Sequence, residues 1–343
     1  MRLVRRSTLS ALAATALLST VCAGAAQAAT PVPKVGTPFP YVGLVRAAGA
    51  DRYETAAVIA QGSFQPSSGS TVFIASGEAP ADALTAGPAA ASLDAPLLLT
   101  RAGDLPAATA TELARLKPTT VYVVGGTDRV SDTVLTAIGT AAPGSTVTRI
   151  AGASRYETAV DVAEKFFPNP EGVVVTRGDT FPDALSGGAA AASAGVPVMI
   201  TEPTSIPAPV AQWMSQHTFA SSLVVGSSTS VSDAVAATVA SRTSDPADAT
   251  RIGGADRYET SAAVATAVFP DASTVVIATG DNFPDALAGV PAAAVNAAPV
   301  LLLPKDCTPA SLATYVQGNT NISAEIVLGG PTSVTAEALT TTC

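Results

Sequence analysis

Histidine is all but absent from this 343-residue chain: His217 is the single copy. Its neighbourhood, Trp213-Met-Ser-Gln-His217, offers neither an HExxH arrangement nor a paired ligand, which excludes a histidine-based zinc site. The three cysteines, Cys22, Cys307 and Cys343, stand too far apart for a redox C-x-x-C motif. There is no G-x-S-x-G nucleophile elbow and no phosphate-cradling P-loop. Cations are scarce as well: 18 Lys and Arg face 27 Asp and Glu, a formal net charge of −9. That balance argues against nucleic acid as a partner, since such binding rests on neutralising phosphates. Beyond the first 28 residues no apolar stretch is long enough for a membrane span of ~20 residues.

The N-terminus reads as an export signal over residues 1–28. Arg2, Arg5 and Arg6 give a positive start, Leu9 to Val21 is apolar, and Ala26-Gln-Ala28 supplies a small-x-small cleavage pattern. A retained helix, a twin-arginine signal at Arg5-Arg6 and a lipid anchor at Cys22 are weaker alternatives. The apolar run is short, the residues around the arginine pair fit poorly, and Val21 is a poor neighbour for a lipidated cysteine. Cleavage removes three arginines and no acid, taking the net charge from −9 to −12. Residues 29–44 hold Pro31, Pro33, Pro38 and Pro40 and read as an extended linker. An even pair of cysteines, Cys307 and Cys343, then remains. In an oxidising compartment this favours a disulfide tying the C-terminal tail back, the alternative being two unpaired thiols.

What the chain does have is one motif three times. Arg46-Ala-Ala-Gly-Ala-Asp-Arg-Tyr-Glu-Thr55 returns as Arg149-Ile-Ala-Gly-Ala-Ser-Arg-Tyr-Glu-Thr158 and as Arg251-Ile-Gly-Gly-Ala-Asp-Arg-Tyr-Glu-Thr260. The spacing is 103 and then 102 residues, too long for a solenoid unit of ~20–50 residues. It is the size of a small domain, so three tandem modules are expected over 45–148, 149–250 and 251–343.

Within each module short apolar runs alternate with helical stretches. They are Val72–Ala75, Pro96–Leu99 and Val121–Val124; then Val173–Thr176, Pro197–Ile200 and Leu223–Val225; then Val275–Ala278, Pro299–Leu302 and Ile326–Leu328. Runs without polar alternation fit strands buried on both faces of a parallel sheet, so an α/β sandwich repeated three times is predicted. Asp51-x-x-Glu54, Ser154-x-x-Glu157 and Asp256-x-x-Glu259 are capping boxes that open a helix. The Asp-to-Ser exchange marks the position as a cap rather than a charge. Further along, Asp82-Ala-Leu84, Asp183-Ala-Leu185 and Asp285-Ala-Leu287 lead into alanine-rich stretches without a charge. A helix apolar all round is buried all round, so these three helices should meet in a shared core. Pro88 and Pro291 should kink or restart it, whereas the second copy has Ala189 there.

In order, R-I-x-G-x-[DS]-R-Y-E-T, G-[DE]-x-x-x-D-A-L, a P-[VL]-[LM]-[LI] strand and a V-x-G-G turn resemble the cell-wall-binding repeat of type 2, over roughly residues 45–343. The resemblance implies Rossmann-like, near-Toprim modules with parallel sheets, packed as a pseudo-threefold trimer. It implies a secreted protein of the Gram-positive cell wall or cell surface, held non-covalently through anionic secondary polymers and needing no cofactor. The family's hydrophobic strand signature falls on Leu97, Leu98 and Leu99, on Val198, Met199 and Ile200, and on Val300, Leu301 and Leu302. The first copy departs with Glu78-Ala-Pro-Ala81 and the second with Gly226-Ser227, so the three sites need not be equal.

The candidate ligand-binding residues are the repeated Arg46, Arg52, Arg149, Arg155, Arg251 and Arg257, since the planar fork of arginine suits phosphate and carboxylate. Open α/β sheets bind ligands beyond their strand ends, where Gly77, Gly178 and Gly280, and Gly125, Gly226 and Gly329, stand. Two readings stay open. Arg52, Arg155 and Arg257 either meet the ligand or pair with Asp82, Asp183 and Asp285; Tyr53, Tyr156 and Tyr258 either stack on sugars or pack. The loop acids could hold a bridging Ca²⁺ or Mg²⁺, although nothing in their spacing demands one and no metal site is assigned. The Glu and close Asp-x-Asp of a Toprim magnesium site are missing, and acids such as Asp179 and Asp183 recur with the architecture, so no catalysis is expected. An interaction subunit that modulates a wall hydrolase or another surface protein is the alternative function, and a carbohydrate-active enzyme the more remote one.

Overall fold

The computed structural model describes Phe39, residues 43–282 and residues 284–343, so the expected signal and most of the expected linker lie outside the described residues. The chain begins with β1 (Leu44–Ala47), α1 (Arg52–Ser63), β2 (Thr71–Ser76), α2 (Pro80–Ser92), β3 (Leu97–Thr100), α3 (Ala107–Leu116), β4 (Thr120–Val124) and α4 (Asp132–Ala141). It continues with β5 (Thr146–Ile150), α5 (Arg155–Phe166), β6 (Gly172–Arg177), α6 (Pro182–Ala194), β7 (Val198–Thr201), α7 (Ala208–Ser215), β8 (Ser221–Val225) and α8 (Asp233–Ala240). It closes with β9 (Ala249–Ile252), α9 (Arg257–Val268), β10 (Thr274–Thr279), α10 (Pro284–Leu287), α11 (Gly289–Val295), β11 (Val300–Leu303), α12 (Ala310–Gly318), β12 (Ala324–Leu328) and α13 (Ala336–Thr340).

The apolar runs form β2, β3 and β4, then β6, β7 and β8, then β10, β11 and β12, and every strand pair is parallel. The three sheets have the orders β3-β2-β4-β5, β7-β6-β8-β9 and β11-β10-β12-β1. In the first sheet Val72, Ile74, Val121 and Val123 face one core, with Leu113, Leu116 and Ile138 of α3 and α4. Phe73, Ala75 and Val124 face the other, with Leu84, Ala86 and Ala89 of α2. Both faces are therefore covered, which explains the unbroken hydrophobicity of the runs.

Sheet and sequence repeat are out of phase by one strand. The strand carrying Arg149 pairs with β4, and the strand carrying Arg251 pairs with β8, each the sheet of the preceding repeat. The strand carrying Arg46 pairs instead with β12, in the sheet of the third repeat. Phe39, from the proline-rich segment, is fully buried in the core of this third sheet. The helices follow the same rule: α5 packs on α2, α9 on α6, and α1 on α11. The chain thus closes into a ring.

At the centre α2, α6 and α11 all touch one another. Small side chains permit the approach: a Cβ at Gly87 would stand 3.0 Å from Val290, and one at Gly188 3.3 Å from it. Ala86, Ala89, Ala189, Ala292 and Ala293 fill the rest of this shared core. The third helix does break ahead of Pro291, into α10 and α11, but α2 runs unbroken through Pro88. Proline removes one backbone donor without forcing a break here, where packing holds the helix on its sides.

The helix starts are capped. Asp51 accepts from the backbone N–H groups of Tyr53 and Glu54, Ser154 from Glu157, and Asp256 from Tyr258 and Glu259. Glu54 and Glu259 reach back to the N–H groups of Ala50 and Ala255, and Thr55, Thr158 and Thr260 accept from Gly49, Gly152 and Gly254. A Cβ at Gly49 would lie 2.4 Å from that of Glu54, which explains the glycine. At the C-terminus Cys307 and Cys343 form a disulfide, with their Cα atoms 5.3 Å apart.

Candidate functional site

The order β3-β2-β4-β5 makes the chain leave β2 toward one edge and β4 toward the other. A crevice opens where such connections diverge, beyond the carboxyl ends of the strands. In the first sheet this crevice is a cleft of about 350 Å³. The segment from Ala79 into the first turn of α2 contributes Ala79, Pro80 and Asp82, the loop after β4 Gly126 to Arg129, and the start of α5 Gly152 to Arg155 with Thr158. The last group belongs to the next repeat, so the cleft lies on a repeat boundary.

Asp82 forms its floor. It is 7% exposed, and its carboxylate lies 2.9 Å from where a Cβ would stand on Gly125. Gly125 has φ +124°, a conformation that favours glycine, and Gly226 and Gly329 repeat it with φ +125° and +94°. Burial raises the Asp82 pKa, while the charges of Arg129 and Arg155 and a hydrogen bond from Thr158 oppose that shift. At the second boundary burial raises the Asp183 pKa, opposed by a 2.7 Å hydrogen bond from Ser230 and by the charges of Arg257 and Arg177. One of the charges facing each aspartate thus comes from the following repeat: Arg155 for Asp82, Arg257 for Asp183.

The six repeated arginines fall into two sets. Arg46, Arg149 and Arg251 donate to the carbonyl oxygens of Gly329, Gly125 and Gly226 at 2.8, 2.8 and 2.9 Å. Arg149 and Arg251 also reach Asp132 and Asp233, at 3.0 and 3.4 Å. This set ties an edge strand to the glycine turn beside it. Arg52, Arg155 and Arg257 donate instead to the carbonyls of Gly77, Gly178 and Gly280, the first two at 2.5 and 2.7 Å. Arg155 is exposed, whereas Arg52 and Arg257 are half-buried.

The tyrosines pack. Tyr53 is 5% exposed, with Gly77 pressed against its ring edge and Arg101 4.7 Å from its centroid. Tyr258 lies against Gly280 and donates to Asp281 at 2.9 Å; burial first, then Asp281, pushes its pKa up to about 12. Tyr156 is half-buried, its pKa raised by burial. The nine residues of the hydrophobic signature are buried strand positions in β3, β7 and β11, away from the cleft. Among the described residues no group of three or more His, Cys, Asp or Glu is placed to hold a metal ion.

Arg129 is the site residue that motif reading passes over. It lies outside every repeated motif, and only its divergence from Ser230 and Ser333 in the other copies singles it out.

A ring of three α/β units, with a cleft formed where the first repeat meets the second, defines a repeat-built binding protein. The chain belongs to the cell wall binding domain 2 family, whose model matches residues 46–135, 149–236 and 251–339, and its repeats are cell-wall-binding modules. It is 32% identical over 292 residues to N-acetylmuramoyl-L-alanine amidase LytC of Bacillus subtilis (strain 168), across 85% of this chain and 56% of that protein. It is 28% identical to the Amidase enhancer of the same organism, across 85% of this chain and 39% of that protein. The chain therefore spans about half or less of the curated relatives it matches. Among solved structures it is similar to Cwp6 from Clostridium difficile, with TM-score 0.80, 30% identity, and cover of 88% of this chain and 48% of that one. Cwp8 from the same organism shares the fold at TM-score 0.77 and 24% identity, over 85% of this chain and 50% of that one.

Proposed function

We propose that this chain is an exported, non-catalytic protein of the cell wall or surface, which attaches through anionic secondary wall polymers taken up at the boundaries between repeats. The observation that carries this reading is the cleft at the switch point of the first sheet, lined by Arg129 and Arg155. Arg155 gives one terminal nitrogen to Gly178, which leaves further N–H groups on its guanidinium for an acidic ligand. Local cations matter in a chain of net charge −9, where the overall field repels an acidic polymer. Arg46, Arg149 and Arg251 support the site from beneath, by holding the glycine turns in place.

The test is sedimentation of the secreted form with protein-free walls as NaCl is raised. Binding should weaken with salt and vanish on walls stripped of secondary polymer with peptidoglycan intact. Salt-insensitive binding, or full binding to stripped walls, overturns the reading.

Similarity to the Amidase enhancer favours a second reading, in which the chain modulates a wall hydrolase. Added to a wall amidase, it would then change the rate of wall lysis, and no change in rate removes this reading.

A further inference from the structure

The three repeat boundaries differ at the positions that matter for binding. The first repeat has Pro80 where the others have Phe181 and Phe283. At the second boundary the Arg257 guanidinium lies 5.7 Å from the centroid of the Phe181 ring. Proline cannot cover an arginine in that way, and at the first boundary Arg155 is exposed beside an open cleft of about 350 Å³. The loop after β4 differs too. Ser230 and Ser333 donate their hydroxyls to Asp183 and Asp285, at 2.7 and 3.2 Å. Arg129 takes this place in the first repeat, so a cation replaces the neutral hydroxyl beside Asp82; Asp183 also feels Arg177, but that guanidinium is held by Asp179 at 2.8 Å. The same loop carries Asp128 where the others have Thr229 and Thr332, and Asp128 also lines the cleft.

We infer that the first boundary is the chain's principal ligand site, and that its ligand is a sugar bearing a phosphate or carboxylate. Arg129 and Arg155 take the anionic group, and Asp128 accepts from neighbouring hydroxyls. A bare anion would meet Asp128 as a repulsive neighbour, whereas a sugar hydroxyl would donate to it. The inference rests on the wall-polymer reading and narrows it: a chain built from three similar repeats binds mainly through one boundary, and Arg129 sets the preference.

Two substitutions that copy the sister repeats test this on protein-free walls. Arg129→Ser removes the extra cation, and Pro80→Phe restores the aromatic cover. Each should weaken wall binding about tenfold, the cost of one charge-assisted contact, with Tm close to that of the parent. Arg129→Lys should recover part of the loss, which separates charge from folding. If Arg129→Ser or Pro80→Phe binds as the parent does, while parent binding remains salt-sensitive, the single-site inference fails and the wall-polymer reading stands. If the parent does not sediment with walls at all, the wall-polymer reading fails first.

Discussion

Glu325 on β12 stands opposite Leu44 of β1 in parallel register, fully buried, and neither of its carboxylate oxygens has a hydrogen-bond partner. The corresponding residues are Val121 in the first repeat and Ser222 in the second, the latter bonded to Thr243 at 2.7 Å. Burial alone pushes the Glu325 pKa up to about 8. The folded protein therefore holds this proton more tightly than the unfolded chain, whose carboxylate titrates near 4.5. The associated stability is complete below the unfolded pKa and is lost as pH rises toward 8. Each pH unit between these values removes roughly 1.4 kcal/mol at most. Tm should fall from pH 5 to pH 8, and Glu325→Val should flatten that slope and raise Tm at pH 8. A parent Tm that stays level over this range contradicts the assignment.

Phe39 is a pin that attaches the N-terminal segment to the third core. Phe39→Ala should lower stability by roughly 3–5 kcal/mol, the usual cost of emptying a buried aromatic site. Urea unfolding measures it, and an unchanged midpoint would mean that the segment leaves its seat in solution.

Gly87 and Gly188 set the distance between the central helices. Gly87→Leu places atoms where Val290 already stands, and should destabilise the ring by about 1–3 kcal/mol or more. Gly62, inside α1, has no neighbouring atom within 4 Å of its would-be Cβ. Gly62→Ala should therefore be neutral or stabilising by up to ~1 kcal/mol. Calorimetry on the pair distinguishes close packing from a general aversion to change at glycine.

Asp51 and Ser154 perform the same cap with different side chains. Asp51→Ser should be close to neutral, and Asp51→Ala should cost ~1 kcal/mol. A large loss on Asp51→Ser would reveal a role for the charge, such as its 3.6 Å approach to Arg101; that pair is solvent-exposed and contributes little.

The disulfide closes a sequence separation of 36 residues around α12, β12 and α13. Chain-entropy reasoning gives it about 3–4 kcal/mol. Reduction, or Cys307→Ser with Cys343→Ser, should lower Tm, with the loss concentrated in hydrogen-exchange protection of α13.

The central strands were legible because burial on both faces leaves nothing polar to obscure them, as in Val72–Ala75 and Val173–Thr176. The alanine-rich helices were legible for the same reason, and their meeting followed from having no exposed face. The apolar edge strands β3, β7 and β11 were legible too, but the opposite edge strands β1, β5 and β9 were not. Thr146-Val-Thr-Arg-Ile150 is half polar, Val45 is 48% exposed, and their partners lie one repeat back or at the far end of the chain. Composition carries no trace of such a partner. The repeated arginines drew attention as cations, but their bonds to glycine carbonyls depend on where strands end. The influence of the Arg155 charge on Asp82 exists only once two repeats are folded against each other.

The closure of β1 onto β12 has a further meaning for how such a chain can evolve. An open array gains or loses units at its ends with little penalty, since the terminal surfaces stay alike. Here the first strand and helix complete the last unit, so copy number is a property of the whole. Dropping one unit would strand an unpaired sheet edge, and inserting a fourth would force the three central helices apart at Val290.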